Sequence, residues 1–468
     1  MSSTKMSLVP ARMDRLPWTK FHWMVVIGLG AAWILDGLEA QIAASAGFQE
    51  TLQMTATEVG FTASIYLAGQ VIGALIFARL SDQLGRKKIF IATLGIYLFS
   101  GGMAGFSFSL WFLLIFRFIS GLGIGGEHAA INAAIDEIIP PKYRGHASIA
   151  IYGTYWGGAA LGATINSFLL DPSIIPTEIG WRIGFFLGPA LGFIIIFLRR
   201  HLPESPRWLL SHGHVNEAEQ VVNDIEVQIQ GQGYNLSEVP KSKRIPIVPY
   251  KNLHPTELIK ILLTKYPRQT LLSFSLMVAQ SFFYNAIFFA YVLVLKNFYY
   301  IPLDSTQDFF LPFAIGNLAG PLILGPLFDT IGRRKMIFAT YSTAGVVLAS
   351  SAVLFYQGIL SPTTQTLLWS ISFFFASAGA SSAYLTISEI FPLALRNQAI
   401  SYFFAIAQIT GAIAPAVFGI LISQGIYRGS LTLGYLLAAC VMIIAGIIGL
   451  FFGFDAEGKS LEDVSGSL

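Results

Sequence analysis

The run "AAWILDGLEAQIAAS", residues 31–45, decides how the rest of the chain is read. It is apolar apart from two carboxylates, Asp36 and Glu39, and a few small polar groups. On a helix in water two acids need no explanation. Inside a bilayer each costs about 3 kcal/mol on insertion scales and more in simulations, so each has to be worth keeping.

Composition puts the run in a bilayer. The chain has 468 residues, 54% hydrophobic and only 12% charged, with a mean hydropathy of +0.63. A soluble chain carries about 25% charged residues. The charges here gather between apolar runs of about 20 residues or more, the length that spans a membrane. The runs are 21–48, 59–80, 88–109, 112–138, 146–170, 181–199, 269–297, 307–328, 336–357, 366–390, 398–423 and 430–453. Internal glycines and Pro189, Pro321 and Pro415 are compatible with membrane helices, where neighbouring helices satisfy the freed backbone groups. The short alternating segments of a membrane barrel are absent. The expected fold is therefore an all-α membrane protein with 12 transmembrane helices.

Orientation follows from Lys and Arg. The N-terminal tail, alternate loops and the C-terminal tail hold 25 of the 29, leaving Arg182, Lys296 and Arg428 opposite and Arg117 within a span. By the positive-inside rule both termini are cytoplasmic. Residue 230 is then expected inside and residue 302 outside. The net charge of +3 reflects this loop bias, and no nucleic acid is expected as a partner. The first span is too long for a signal peptide's apolar core and is expected to stay as an anchor. The single cysteine, Cys440, is read as packing in the last span.

The chain divides into a cytoplasmic tail (1–20), a six-helix bundle (21–200), a cytoplasmic linker (201–267), a second six-helix bundle (268–453) and a tail (454–468). The linker is polar and contains amphipathic helices, one near "NEAEQVVNDIEVQI". The halves echo each other. "ARLSDQLGRKK" (78–88) returns as "GPLFDTIGRRK" (325–335), and "DEIIPPKYRG" (136–145) as "SEIFPLALRN" (388–397). Asp82 and Asp329 are 247 residues apart, Arg144 and Arg396 252. Two motifs repeating in order at near-equal offsets indicate internal duplication and two pseudo-symmetric bundles.

These motifs resemble those of the major facilitator superfamily: D-x-x-G-R-[RK] twice, E-x-x-P-x-x-x-R twice, and "RFISGLGIGG" (117–126) on span four. "GWR" (180–182), "PESPRWLL" (203–210) and "EGKSLED" (457–463) are similar to sugar-porter and organic-ion-transporter signatures. One departure is Ala78, where the first loop motif usually starts with Gly; the second copy keeps Gly325. The resemblance implies alternating access, with a cytoplasmic latch built from Asp82, Arg86, Glu137 and Arg144 and from Asp329, Arg333, Glu389 and Arg396. The plainer reading is topology anchoring by the basic residues alone, to which the acids add nothing.

Depth arithmetic offers Asp36 a partner. At 1.5 Å per residue Asp36 lies roughly 22 Å up span one, and Arg117 roughly 22 Å up span four in a 30 Å core. Glu39, roughly 27 Å up, shares a helix face with Asp36 and can compete for the same cation. A carboxylate that exchanges a proton and an arginine is a coupling device, so Asp36, Glu39 and Arg117 are the proton-coupling candidates, Asp36 first. The resemblance points the same way: proton-coupled sugar porters carry an acid on span one near an Arg on span four, and Asp36-Gly37-Leu38-Glu39 is similar to the D-G-x-D of aromatic-acid:proton symporters. The competing reading is a static ion pair. Glu127, nearer the cytoplasm in "GGEHAAIN", is a gate candidate, and His128 a polar lining residue.

No metal cluster, nucleotide loop or zinc-protease motif is present in the sequence, so no enzyme activity and no cofactor are expected, and uphill movement draws on a proton gradient. The substrate-binding candidates are Tyr152, Trp156, Gln280, Tyr284, Asn285, Tyr384 and Gln408. Span seven, "VAQSFFYNAIFFAY", keeps Gln280 and Asn285 of the sugar-porter pattern, but Ala279, Phe283, Ala159 and Tyr384 replace other sugar-porter residues. Aromatic walls with one arginine suit a planar organic acid better than a sugar. A sugar:proton symporter, an organic cation transporter and a transporter-like sensor remain alternatives. The expected partners are a small-molecule substrate, protons and the lipid bilayer, with the chain acting as a monomer in the plasma membrane.

Overall fold

A computed structural model of the chain describes residues 6–44, 48–54, 56–199, 203–247, 254–301, 306–423 and 428–465. Position 302 and the linker residues 201–202 and 248–253 lie outside the described residues. The elements are β1 (Met6–Ser7), α1 (Val9–Asp14), α2 (Lys20–Ala44), α3 (Phe48–Thr51), α4 (Ala56–Leu84), α5 (Arg86–Gly105), α6 (Leu110–Ile138), α7 (Pro141–Leu169), α8 (Thr177–Arg199), α9 (Pro206–Ser211) and α10 (Val215–Gln230). They continue with β2 (Ile245–Pro246), α11 (Pro255–Thr264), α12 (Pro267–Tyr299), α13 (Thr306–Thr330), α14 (Arg333–Tyr356), α15 (Pro362–Ile390), α16 (Leu393–Ser423), α17 (Arg428–Phe452) and α18 (Leu461–Ser465).

The long helices follow the apolar runs. The starts of α7 and α16 move most, to Pro141 and Leu393. Each opens at or just after a proline, whose fixed φ suits the first helical turn, so the polar turn that precedes the apolar run is helical too. Ten described helices are long and apolar enough to cross a membrane. Helices α7 and α16 have comparable lengths, 29 and 31 residues.

The surface is inverted relative to a soluble protein. Phe108, Trp111, Phe193, Leu433 and Phe451 are 68–76% exposed, while Asp36, Glu39 and Arg117 are each 3% exposed. Apolar side chains facing outward and charges facing inward suit lipid as solvent. Cys440, expected to pack, is exposed on α17, because a small apolar side chain is as well solvated by lipid as by protein.

Duplication is visible in the packing. In the first half α4 packs on α6, α2 on α7 and α5 on α8; in the second α13 packs on α15, α12 on α16 and α14 on α17. With the long helices of each half numbered one to six, both halves pair two with four, one with five and three with six. Across the halves α7 meets α13 and α4 meets α16. Where α2 crosses α7 the backbones nearly touch. A Cβ on Gly37 would stand 2.0 Å from the Tyr155 carbonyl oxygen, and one on Gly158 1.9 Å from that of Ile34. Small residues at such crossings replace the hydrophobic drive that lipid removes.

A polar layer covers the end that carries the loop motifs. Helix α10 buries Ala218, Val222, Ile225 and Ile229, one amphipathic stripe. The N-terminal tail docks there: β1 pairs antiparallel with β2, and Arg12 reaches Glu219 and Glu226, each at 2.6 Å. Arg15 reaches Glu226 at 2.5 Å, and Arg207 reaches Asp14 at 2.9 Å. Burial works against the Glu226 charge, but the bonds from Arg12 and Arg15 outweigh it and hold its carboxyl below the usual range.

Candidate functional site

The acids of α2 enter a polar cluster in the first bundle. Arg117 on α6 donates to Glu39 at 3.0 Å, and the Ser120 hydroxyl donates to the same carboxylate oxygen at 3.1 Å. Small residues leave room for the carboxylate: a Cβ on Gly101 of α5 would lie 3.0 Å from its other oxygen. The Arg117 guanidinium covers the Tyr66 ring at 4.1 Å. Tyr66 in turn donates to Asp36 at 2.7 Å. The second Asp36 oxygen faces Nε2 of His128 at 3.6 Å.

This corrects the pairing expected from depth. The ion-pair partner of Arg117 is Glu39, and Asp36 is held by Tyr66 and His128. Three residues of helix are only about 4.5 Å of rise, well within the reach of an arginine side chain, so depth cannot separate the two acids. Their different rotation about the helix axis does. Glu39 is as buried as Asp36, each 3% exposed.

Aromatic rings fill the space between the halves. Tyr152 on α7 stacks on Tyr384 of α15, centroids 4.8 Å apart. Trp156 on α7 meets Tyr284 of α12 at 5.4 Å, and Tyr284 meets Phe373 edge-on at 4.9 Å. The hydroxyls of Tyr152 and Tyr284 are buried with no hydrogen-bond partner among the described residues. Four predicted contacts thus come together. The predicted amides fare differently. Gln408 spends its amide on Gln70, 3.0 Å away across the halves, and Asn285 donates to the Ser281 carbonyl of its own helix at 2.8 Å. Gln280 is buried against α15, where a Cβ on Gly379 would meet its amide nitrogen at 2.8 Å.

The loop motifs build two ion clusters. Arg86 binds Asp82, and also Glu137 at 3.2 Å. Arg333 binds Asp329 at 2.7 Å and Glu389 at 3.0 Å. Glu137 and Glu389, expected with Arg144 and Arg396, bind Arg86 and Arg333. Arg144 and Arg396 donate instead to the carbonyls of Ile139 and Phe391, at 3.4 and 3.2 Å. The chain breaks at Pro140 and Pro392, leaving free carbonyls at two helix ends, and a cation satisfies each. Arg144 still approaches Glu389 across the halves at 3.9 Å. Glu127, placed with the gate, is fully buried in α6 ten residues before Glu137, which is the α6 acid that binds Arg86.

Four bonds tie the halves together at this end. Asn397 donates to Asp82 at 3.2 Å and to the Ala78 carbonyl at 3.1 Å. The His146 backbone N–H donates to Asp329 at 2.7 Å, and Ser388 donates to Asp136 at 3.0 Å. Glu204, from "PESPRWLL", accepts the free N–H groups of Arg86 and Lys87 at the start of α5 at 3.0 and 3.2 Å. Burial pushes its carboxyl up, and those N–H groups restrain the rise.

Sequence reasoning missed Tyr66, Ser120, Gln70, Asn397 and the capping acids. Asn397 alone left a readable signal, the position next to Arg396 inside a duplicated motif. The others are ordinary polar residues whose meaning depends on a facing helix.

Residues 34–467 match the family described as sugar (and other) transporters. The niacin transporter NiaP of Acinetobacter baylyi is 25% identical over 458 residues, covering 97% of this chain and 99% of that protein. The putative metabolite transport protein YdjK of Escherichia coli is 29% identical, covering 97% and 96%. Among solved structures, the major facilitator proton:xylose symporter XylE bound to 6-bromo-6-deoxy-D-glucose superposes with a TM-score of 0.76 at 17% identity, covering 95% and 98%.

Proposed function

From the premise that this chain belongs to the sugar (and other) transporter family of the major facilitator superfamily, a small-metabolite transporter of the plasma membrane rather than an enzyme, we propose that it is a proton-coupled symporter of a planar organic acid. On this reading it has twelve spans in two six-helix bundles, with both termini and the 201–267 linker in the cytoplasm. The substrate sits between the bundles and the loop-motif clusters close its cytoplasmic side.

The observation that carries the substrate class is the wall of Tyr152, Trp156, Tyr284 and Tyr384. Flat rings offer faces for stacking, and the two buried hydroxyls without partners need acceptors, which a carboxylate supplies. Niacin, carried by name in one relative, is a planar ring with a carboxylate. A sugar is the second reading, favoured by Gln280 and by the family's name. It would need more amide and hydroxyl partners than this wall offers.

Coupling is assigned to Glu39. Paired with Arg117 it is an anion; protonated, it releases the arginine and loosens the tie between α2 and α6. Reconstituted carrier tests both parts. Nicotinate should accumulate under an inward proton gradient, and xylose and a quaternary amine should not. Glu39→Gln should abolish accumulation yet keep counterflow, and Asp36→Asn should do less. Arg117→Ala should be worse than either, because removing one member of a buried pair costs about 3–5 kcal/mol. Nicotinate binding without flux would make the chain a sensor. Accumulation by Glu39→Gln would end the coupling assignment.

A further inference from the structure

We propose that Asp36 and His128 form a second, inner proton station, through which the proton taken up at Glu39 leaves toward the cytoplasm. The proposal rests on the proton-coupled reading and adds an exit to it.

The geometry points there in steps. Glu39 holds Arg117, Arg117 covers Tyr66, Tyr66 donates to Asp36, and Asp36 faces Nε2 of His128. Helix α6 carries both ends of this path. His128 lies eleven residues beyond Arg117, about 16 Å closer to the loop-motif end. The two acids are ordered the same way on α2, Asp36 one turn nearer that end than Glu39.

The imidazole is built in. It stacks on Trp33 with centroids 4.3 Å apart and planes at 16°, and meets Phe404 edge-on at 5.2 Å. Trp33 and Asp36, three residues apart on α2, hold it from one side; Phe404, on α16, comes from the other bundle. The contact that keeps His128 enclosed therefore breaks when the bundles separate at this end. The ionisable groups around the pair are Glu39 on α2, Tyr66 from α4, Tyr97 from α5, Arg117 and Glu127 on α6, Tyr152 and Tyr155 from α7 and Tyr384 from α15. From α16 it receives the uncharged Phe404. Asp36 supplies the carboxylate within ion-pair reach.

The transfer balances. The O–H bond of protonated Glu39 breaks and Asp36 takes the proton, while the Glu39 anion pairs again with Arg117. Asp36 passes the proton to Nε2, giving an imidazolium beside a carboxylate. Water entering from the cytoplasm accepts it, and both groups return to their starting state. Histidine suits this last step because its ring nitrogens can accept a proton and pass it on.

The first test needs no substrate. Histidine-selective NMR of the whole protein in nanodiscs, with His128 assigned by its loss in His128→Gln, follows the imidazole as pH is varied. Asp36→Asn should change that titration, because it removes the carboxylate 3.6 Å from Nε2. An unmoved midpoint overturns the pair. The second test uses nicotinate in proteoliposomes with the internal pH varied. Net uptake should rise with internal pH in the native carrier. In His128→Gln it should fall several-fold and lose that dependence, with counterflow within twofold of native. Retained internal-pH dependence overturns the exit, and so does parallel loss of counterflow. Phe404→Ala should raise the substrate-free proton leak, and an unchanged leak counts against the gating contact. Glu39→Gln separates the two ideas: it should end accumulation while leaving the His128 titration in place. Accumulation that survives in Glu39→Gln refutes the coupling carboxylate, and a His128 titration independent of Asp36 refutes the station.

Discussion

The two copies of the loop motif, at Asp82–Arg86 and Asp329–Arg333, solve one problem in two ways. Both place a glycine at positive φ before the helix, Gly85 at 104° and Gly332 at 109°. Both start that helix under an acid from elsewhere, Glu204 on the Arg86 N–H at 3.0 Å and Glu457 on the Arg333 N–H at 3.3 Å. Both give the arginine a motif aspartate and a glutamate from the fourth helix of the same half. They differ in how they reach the other half. Asp82 accepts from a side-chain amide, Asn397 at 3.2 Å; Asp329 accepts from a backbone N–H, that of His146 at 2.7 Å. The Asp329 contact is the shorter of the two. The duplicated sequence thus builds two similar anchors that reach the other half through different donors.

The largest expected effect tests the anchors. Arg333→Ala strands Asp329 and Glu389, and Arg86→Ala strands Asp82 and Glu137. Each should destabilise its half by about 3–5 kcal/mol. Arg333→Ala should be the worse, since it also removes a 2.7 Å bond to the Phe328 carbonyl. Thermal unfolding in detergent checks the order, and equal losses would erase this difference between the copies.

Next come the glycines. At Gly85 and Gly332 an alanine must adopt positive φ and also meet the capping acid, at 2.5 Å from Glu204 and 2.9 Å from Glu457. About 1–2 kcal/mol is expected at each from the backbone alone, with Gly85→Ala the costlier. At Gly325, by contrast, an added Cβ meets Ile149 at an ordinary 3.4 Å. Gly325→Ala should be nearly silent, which also accounts for Ala78 in the first copy.

The contacts between the halves should show a smaller effect, in conformation more than in stability. Asp329→Asn should raise labelling of cysteines placed at the loop-motif end more than Asp82→Asn, and change transport rate more than binding affinity. Equal labelling in the two variants would remove the asymmetry, and unchanged labelling in both would reduce the motifs to topology signals.

The weakest contact is the N-terminal clasp. Arg12→Ala should cost no more than about 1 kcal/mol, as partly exposed ion pairs do. Glu226 has a depressed carboxyl pKa, so the clasp's contribution is present above the ordinary carboxylate pKa and is lost as pH falls through the lowered one. Protease protection of the tail, held at neutral pH and lost in acid, checks the sign.

Much of this was legible along the chain. Helix positions, inverted polarity and the repeat follow from apolar length, charge placement and spacing, all properties of one strand of sequence. The aromatic residues Tyr152, Trp156, Tyr284 and Tyr384 were legible for a similar reason: polar-tipped rings on spans have few uses away from an interior. Partner choice was not legible. Asp36 and Glu39 differ by one helical turn, and which of them receives Arg117 depends on the rotation of α2 against α6. The rotation of α2 is fixed by its close backbone crossings with α7, Gly37 against the Tyr155 carbonyl and Gly158 against that of Ile34, not by depth. Arg144 and Arg396 took helix-end carbonyls because two prolines freed them, and Gln408 took Gln70 because α16 lies on α4. The sequence by itself determined which groups are buried in the membrane, since lipid penalises every charge regardless of neighbours. Only the tertiary structure decided which of those groups meet, because a side-chain contact requires two helices to agree in angle and register.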